Sequence, residues 1–279
     1  MDAAAYIQSL RVTNPLVEPI HRAALRALQL PLGSRGLDAG CGIGLQALLL
    51  AEAVGPAGHV TGLDLSPKHL GFAREMVETA GLSGRVSFRE GDVRSLPFDD
   101  QTFDWAWSAD CVGYGPQPEP LPLVKELARV VKPGGTVAIL AWSSQTLLPG
   151  FPLLEARLNA TSSGIAPFTV ESRPESHFLR ALGWFREAGL EEVSAQTFAG
   201  DVHAPLTREL RSALLALLQM RWPGAESELA PQDRIEYRRL CLPESPDLIL
   251  DHPDYYAFFT SSMFHGRVAQ SGDRSSGGG

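Results

Sequence analysis

One nine-residue string, Gly36-Leu37-Asp38-Ala39-Gly40-Cys41-Gly42-Ile43-Gly44, restricts this chain more than any other. The residues leading into it, 35–39, are short and strand-like. The apolar run that follows, 45–54, reads as a helix ended by Gly55-Pro56. Glycines between a strand and a helix let the backbone turn tightly and approach a ligand, with the amides of the helix start aimed at it. Strand, glycine-rich turn and helix in that order form the opening unit of a parallel α/β sheet.

The pattern then repeats. Strands are expected at 59–63, 85–89, 103–108 and 136–142, and helices at 67–80, where Gly81 stops the run, and at 119–131. This alternation at short spacing predicts a doubly wound, mostly parallel sheet. Ahead of it, 4–30 reads as one or two amphipathic helices, broken near Thr13-Asn14-Pro15, with Asn14 capping the second and Pro15 opening it. Behind it come a helix at 174–188, closed by Gly189, and a strand at 192–198. The alternation then fails. Two helical runs, 206–221 and 231–240, precede a stretch punctuated by Pro243, Pro246 and Pro253, and an apolar β-rich run returns only around 258–268. Residues 205–250 are therefore expected to form a helical cap inserted between the last two strands. The chain is read as one domain over 1–270, comprising N-terminal lid helices at 1–30, a cofactor-binding core at 31–200, the cap, and a last-strand region at 255–269. The Gly/Ser-rich stretch 271–279 is expected to be a disordered tail.

Charge and cysteines narrow the partners. The 279 residues carry 24 Lys and Arg against 32 Asp and Glu, a net charge of −8, with no basic run. Neutralising phosphates needs clustered cations, so neither nucleic acid nor an anionic membrane is the expected partner. Cys41, Cys111 and Cys241 are far apart and form no paired-ligand spacing, which predicts no metal site and a reducing compartment. No apolar stretch is long enough to span a membrane and no secretory leader is visible, so a soluble cytoplasmic protein is expected.

Dinucleotide sites share the glycine-rich turn, so two carboxylates decide between ligands. Asp38 stands just before the first glycine of the turn, where it would repel a pyrophosphate and attract an ammonium group. Asp64, in Gly62-Leu63-Asp64-Leu65-Ser66, suits the hydroxyls of a ribose in either kind of cofactor. Asp38 thus favours a ligand such as S-adenosylmethionine over NAD.

With these residues in place, the chain resembles the class I S-adenosylmethionine-dependent methyltransferases, in the branch similar to the quinone-biosynthesis enzymes. The resemblance rests on LDAGCGIG, VTGLDLSP, GDVRSLPFDDQTFDWAWS and ARVVKPGGTVAI, in the family's order across roughly residues 35–142. It implies a Rossmann-like, seven-stranded sheet and a cofactor, S-adenosylmethionine, that leaves as S-adenosylhomocysteine. It also implies roles. Asp38, Gly40 and Gly42 would hold the methionine end, and Ser108 would contact its amino group through the backbone. Asp64 would bind the ribose and Leu65 pack on the adenine, while Asp92 would accept from the adenine amino group and Val93 offer its amide to the ring. The KPGG segment at 132–135 would be a structural turn.

The acceptor side departs from the family. After the fourth strand the chain reads SADCVGYGPQPEP, where histidines are common in relatives. Methyl transfer from a sulfonium is an in-line displacement that needs little beyond positioning and a base. Asp110, Tyr114 and His265 are the base candidates. Trp142, Met220, Trp222, Tyr255 and Tyr256 are the candidate acceptor contacts, which predict a small apolar or aromatic acceptor enclosed by the cap and the N-terminal helices. A cap that forms a homodimer interface is the alternative for this insertion. For the whole chain, the alternatives are an S-adenosylmethionine-binding protein without catalysis and an NAD-dependent oxidoreductase.

Overall fold

The computed structural model describes residues 3–114 and 119–270; the 271–279 tail lies outside them. In chain order the elements begin with α1 (Ala3–Leu28), β1 (Arg35–Ala39), α2 (Leu45–Ala53), β2 (His59–Asp64), α3 (Pro67–Thr79) and β3 (Val86–Glu90). Next come β4 (Phe103–Ala109), α4 (Pro120–Val130), β5 (Val131–Thr146), α5 (Pro152–Asn159), α6 (Ala181–Glu187) and β6 (Leu190–His203). Helices α7 (Arg208–Arg221) and α8 (Pro231–Cys241) then lead to β7 (Tyr256–Val268).

The seven strands form one mostly parallel sheet in the order β3-β2-β1-β4-β5-β7-β6. β1 pairs in parallel with both β2 and β4, so the strand order reverses between β1 and β4. That reversal leaves a crevice at the carboxyl ends of the two strands, where open α/β sheets bind their ligands. Residues 36–39 of β1 are all buried, as expected of a central strand covered on both faces. Gly36 is required by a close approach, since a Cβ there would lie 2.0 Å from the Trp105 ring. Trp105 in turn donates through Nε1 to Ser34 Oγ at 2.9 Å.

Three local expectations are corrected. The N-terminal segment is one continuous helix, with Pro15 and Pro19 inside it. Asn14 caps nothing; its side chain donates to Glu18 Oε2 at 2.9 Å, and Thr13 Oγ1 donates to the Ser9 carbonyl. An interior proline costs about 3 kcal/mol. Leu16, Ile20 and Ala24, spaced four apart, form a buried stripe, and each large apolar side chain so buried returns about 1.5–3 kcal/mol. Burial along this stripe is of the same order as the cost of the two prolines and offsets the break signal. The expected helix at 174–188 is α-helical only at 181–187. Before that, two single 3-10 turns flank His177, which is extended (φ −73°, ψ 132°) and accepts the Leu179 amide on its ring nitrogen. β5 is longer than expected at both ends. Its pairing with β4 jumps from Phe103–Val131 to Trp105–Thr136, so the KPGG segment bulges out of the ladder.

The chain divides into two compact units. One comprises Met1–Ala24, Trp142–Ser172 and Thr197–Ser261; the other comprises Leu25–Ala141, Arg173–Gln196 and Ser262–Gly279. The first holds α5, α7 and α8, with Leu158, Leu214, Leu218, Trp222 and Tyr255 in its core. The second holds β1 to β4 and the glycine-rich turn.

Candidate functional site

All residues of the glycine-rich site belong to the second unit. The turn after β1 is strapped to the end of β2, because the Gly40 and Cys41 amides both donate to the Leu63 carbonyl at 2.8 and 2.9 Å. Gly40 has φ +77°, and a Cβ on it would meet Cys111 Sγ at 2.2 Å. Gly42 has φ +53° and nothing within 4 Å of where its Cβ would be, so the backbone is open to an incoming ligand there.

Asp64 is held from two elements. The Gly42 amide donates to its Oδ2 at 2.9 Å and the Ser66 amide to its Oδ1 at 2.8 Å. His69 Nδ1, in the first turn of α3, lies 3.3 Å from Oδ1. Ser66 caps that helix, accepting the His69 amide, with Pro67 in the first position. One accepting direction remains on Oδ2, which suits a ligand hydroxyl. Next to it Leu65 is 65% exposed, an apolar face beside a polar anchor.

Asp38 is strained electrostatically. It is 1% exposed, and its Oδ2 has no hydrogen-bond partner. Burial, and then the neighbouring Asp64 carboxylate, push its carboxyl up to about 8. A buried carboxyl with an unmade bond costs free energy that ordinary cores avoid. A cationic donor delivered to the end of β1 would supply the missing partner.

Ser108 closes the other side of the crevice. Its buried hydroxyl donates to the Ala39 carbonyl at 2.7 Å and accepts the Val112 amide, pinning the end of β4 to the end of β1. Burial pushes the Cys111 thiol up to about 12 and the Cys41 thiol higher still, so both pack as neutral side chains. Asp110, exposed at the same edge, has φ +46° and donates its amide to the Leu140 carbonyl. The Gly91 amide donates to the Asp64 carbonyl, which sets Asp92 beside the Asp64 anchor. The Asp92 carboxylate is gripped by Arg94, whose Nη2 donates to Oδ2 at 2.6 Å, and Val93 between them is half-buried.

The structure thus draws Asp38, Gly40, Gly42, Asp64, Leu65, Asp92, Val93, Ser108 and Asp110 to one edge of the sheet. The Tyr114 ring packs 5.8 Å from Phe178. His265 lies two residues from Arg267, which donates to the Gly134 carbonyl near the start of β5, away from the carboxyl ends of β1 and β4. In the first unit, Trp142 stacks on Phe259 at 5.3 Å and donates to Gln145 Oε1. Trp222 and Tyr255 are wholly buried, with polar atoms committed to Asn159 Oδ1 and the Leu147 carbonyl. Met220 is half-buried and Tyr256 exposed.

Sequence reading missed His69, Arg94 and the Ser108 hydroxyl. Two of these had a local signal. Ser66-Pro67 marks a helix start that sets His69 beside Asp64, and Arg94 follows Asp92 at the spacing of an aspartate turn. Among the described residues no helix is long and apolar enough to cross a membrane.

Comparison with known proteins agrees with this geometry. A family profile described as a methyltransferase domain matches residues 37–135. The demethylmenaquinone methyltransferase of Bacillus cytotoxicus is 33% identical over 198 residues, covering 66% of this chain and 81% of the relative. A crystal structure of an S-adenosylmethionine-dependent methyltransferase from Aquifex aeolicus aligns with TM-score 0.50 and 22% identity, covering 67% of this chain and 88% of that one. The Haemonchus contortus phosphoethanolamine N-methyltransferase 2 in complex with S-adenosylmethionine aligns with TM-score 0.53 and 17% identity, covering 94% of this chain and 57% of that one.

Proposed function

This chain belongs to the class I S-adenosylmethionine-dependent methyltransferases of the quinone-biosynthesis type, and on that footing we propose that its acceptor is a small oxygenated aromatic ring of the naphthoquinol class. The observation that carries the cofactor assignment is the buried Asp38 carboxyl at the end of β1, whose Oδ2 has no hydrogen-bond partner. It fits an ammonium group and would oppose the pyrophosphate of NAD. The acceptor class is supported by the relatives, which are named demethylmenaquinone methyltransferases.

When bound, the cofactor supplies a methyl group on a positively charged sulfur that takes the electrons of the broken bond. The residues of this chain do the positioning. Asp38 receives the ammonium group, Gly40 and Gly42 give it room, and Asp64 takes a ribose hydroxyl on its remaining lone pair. Leu65 covers the adenine, Asp92 accepts from its amino group and the Val93 amide meets the ring. Ser108 keeps the ends of β1 and β4 in register behind them. A quinone ring is electron-poor, whereas its reduced diol is electron-rich, so the reduced form is the nucleophile. The attacking hydroxyl or ring carbon has a proton to shed, and Asp110 at the open edge would take it as the base. Three free cysteines support a reducing cytoplasmic setting, and the net charge of −8 supports a small molecule over nucleic acid.

The test is calorimetric titration with S-adenosylmethionine, S-adenosylhomocysteine and NAD, with Asp64→Ala as control, followed by turnover on a short-chain demethylmenaquinol kept reduced by dithionite. The expected result is binding of the first two, lost in the variant, and a product one methylene heavier. Binding without any methylated naphthoquinol would remove the acceptor assignment. NAD binding alone would remove the whole reading.

A further inference from the structure

We propose that Arg94 is a positioning residue for the cofactor's base, fixing the Asp92 carboxylate so that the site selects a 6-aminopurine over a 6-oxopurine. The inference rests on the proposed contact between Asp92 and the adenine amino group.

The grip is unusually complete for so short a separation. The Arg94 amide donates to Asp92 Oδ1 at 2.8 Å, Nε donates to Oδ1 and Oδ2 at 3.0 and 2.9 Å, and Nη2 donates to Oδ2 at 2.6 Å. The loop carrying the pair is tied at both ends. The Gly91 amide donates to the Asp64 carbonyl at 3.1 Å, and the Leu96 amide donates to Glu126 Oε2 at 3.0 Å. Within the loop Asp92 and Ser95 form an isolated bridge. The direction of the carboxylate is therefore set by a partner two residues on, inside a segment that cannot drift.

Chemistry follows from this geometry. The charge facing Asp92 is Arg94, and its hydrogen bonds hold the Asp92 carboxyl below the ordinary carboxylate range. An ionised carboxylate only accepts. A 6-amino group donates to it, whereas a 6-oxo group presents a second acceptor at the same place and is repelled. The planar fork of arginine matches both carboxylate oxygens at once, which the point charge of lysine does not. Both side chains reach solvent, at 67% and 30% exposure. Exposed ion pairs contribute little to folding, so the consequence falls on recognition and leaves stability nearly unchanged.

The experiment titrates the full-length protein with S-adenosylhomocysteine and with its 6-oxo counterpart, S-inosylhomocysteine, by calorimetry from about pH 3 to about pH 8, a window that spans the ordinary aspartate range. The proteins are wild type, Arg94→Ala, Arg94→Lys and Asp92→Ala. Wild type is expected to prefer the adenosyl ligand by more than about tenfold, as sites built around one polar group do. In Arg94→Ala that preference should fall at least about fivefold, and the acid limb of binding should move up toward the ordinary aspartate range. Arg94→Lys should recover the acid limb without the preference. An unchanged ratio and unchanged acid limb in Arg94→Ala would overturn the proposal. So would equal tightening of both ligands, which would make Arg94 a mere competitor for Asp92. If Asp92→Ala keeps the full preference, the Asp92 contact itself is wrong. If wild type binds neither ligand, it is the cofactor assignment that fails.

Discussion

Asp38 should make the ligand-free protein less stable than it could be, and replacing it with asparagine should show by how much. Its carboxyl is buried, lacks a partner on Oδ2 and is pushed up to about 8 from 3.8. The folded protein therefore holds this proton over a range of pH in which the unfolded chain has released it. Stability from this group is full below pH 3.8, falls as pH rises and is lost once pH passes the folded value near 8. At about 1.36 kcal/mol per pH unit, the deficit reaches about 4 kcal/mol at pH 7. The asparagine side chain in Asp38→Asn would have no charge to desolvate but would leave an amide hydrogen unpaired, at a cost of about 1–3 kcal/mol. The net expectation is a gain of about 1–3 kcal/mol at pH 7 in Asp38→Asn.

Urea unfolding of both proteins at pH 6, 7 and 8 checks this, because the difference between them cancels every other titrating group. That difference should widen by about 2–3 kcal/mol from pH 6 to pH 8 in favour of the variant. S-adenosylhomocysteine, titrated in parallel, should bind wild type and fail to bind Asp38→Asn. Parallel stability profiles, or a variant less stable than wild type throughout, would refute the claim that this carboxyl sits unpaired in the fold.

Gly40→Ala combines positive φ with a Cβ 2.2 Å from Cys111 Sγ, and it should abolish S-adenosylhomocysteine binding. Gly81→Ala, also at positive φ but with nothing within 4 Å, should cost only about 1 kcal/mol in a urea melt and leave binding intact. Trp222→Ala empties a fully buried site and orphans Asn159 Oδ1, so it should destabilise by about 3–5 kcal/mol in the same assay. Burial lowers His21 to about 4 from 6.5, outweighing the opposing pull of Glu18. Its contribution is complete above pH 6.5 and falls by about 3 kcal/mol as pH drops to 4, a loss that His21→Leu should remove from the acid limb.

The parts of this protein that can be read from sequence are those whose physics is local. Gly40 and Gly42 stand where the backbone must turn through positive φ, and Asp38 and Asp64 stand at strand ends; strand, turn and helix spacing alone identifies all four. The insertion between the last two strands is legible for the same reason, because two helical runs interrupt an alternation. The misses have long-range causes. Pro15 and Pro19 signal a break that α1 ignores, and the burial that offsets them comes from packing invisible to a local pattern. The Trp222 indole is likewise committed to Asn159, 63 residues away, a bond that no local pattern announces.

Arg94 shows a third case, a signal that is local and still goes unread. In Gly91-Asp92-Val93-Arg94 the acid carries the role implied by resemblance, so attention stops at Asp92. The structure shows that its carboxylate is never alone, and the same holds at Asp64, where Gly42, Ser66 and His69 share the load. Asp38 is the exception among the three acids proposed to hold the cofactor. Asp64 and Asp92 are held by this chain before any ligand arrives, which makes them preorganised acceptors. Asp38 is left incomplete, which makes it the group whose stability depends on the ligand. A motif can locate all three acids. Only the count of their partners separates the two proposed to orient the cofactor from the one whose missing partner it would supply.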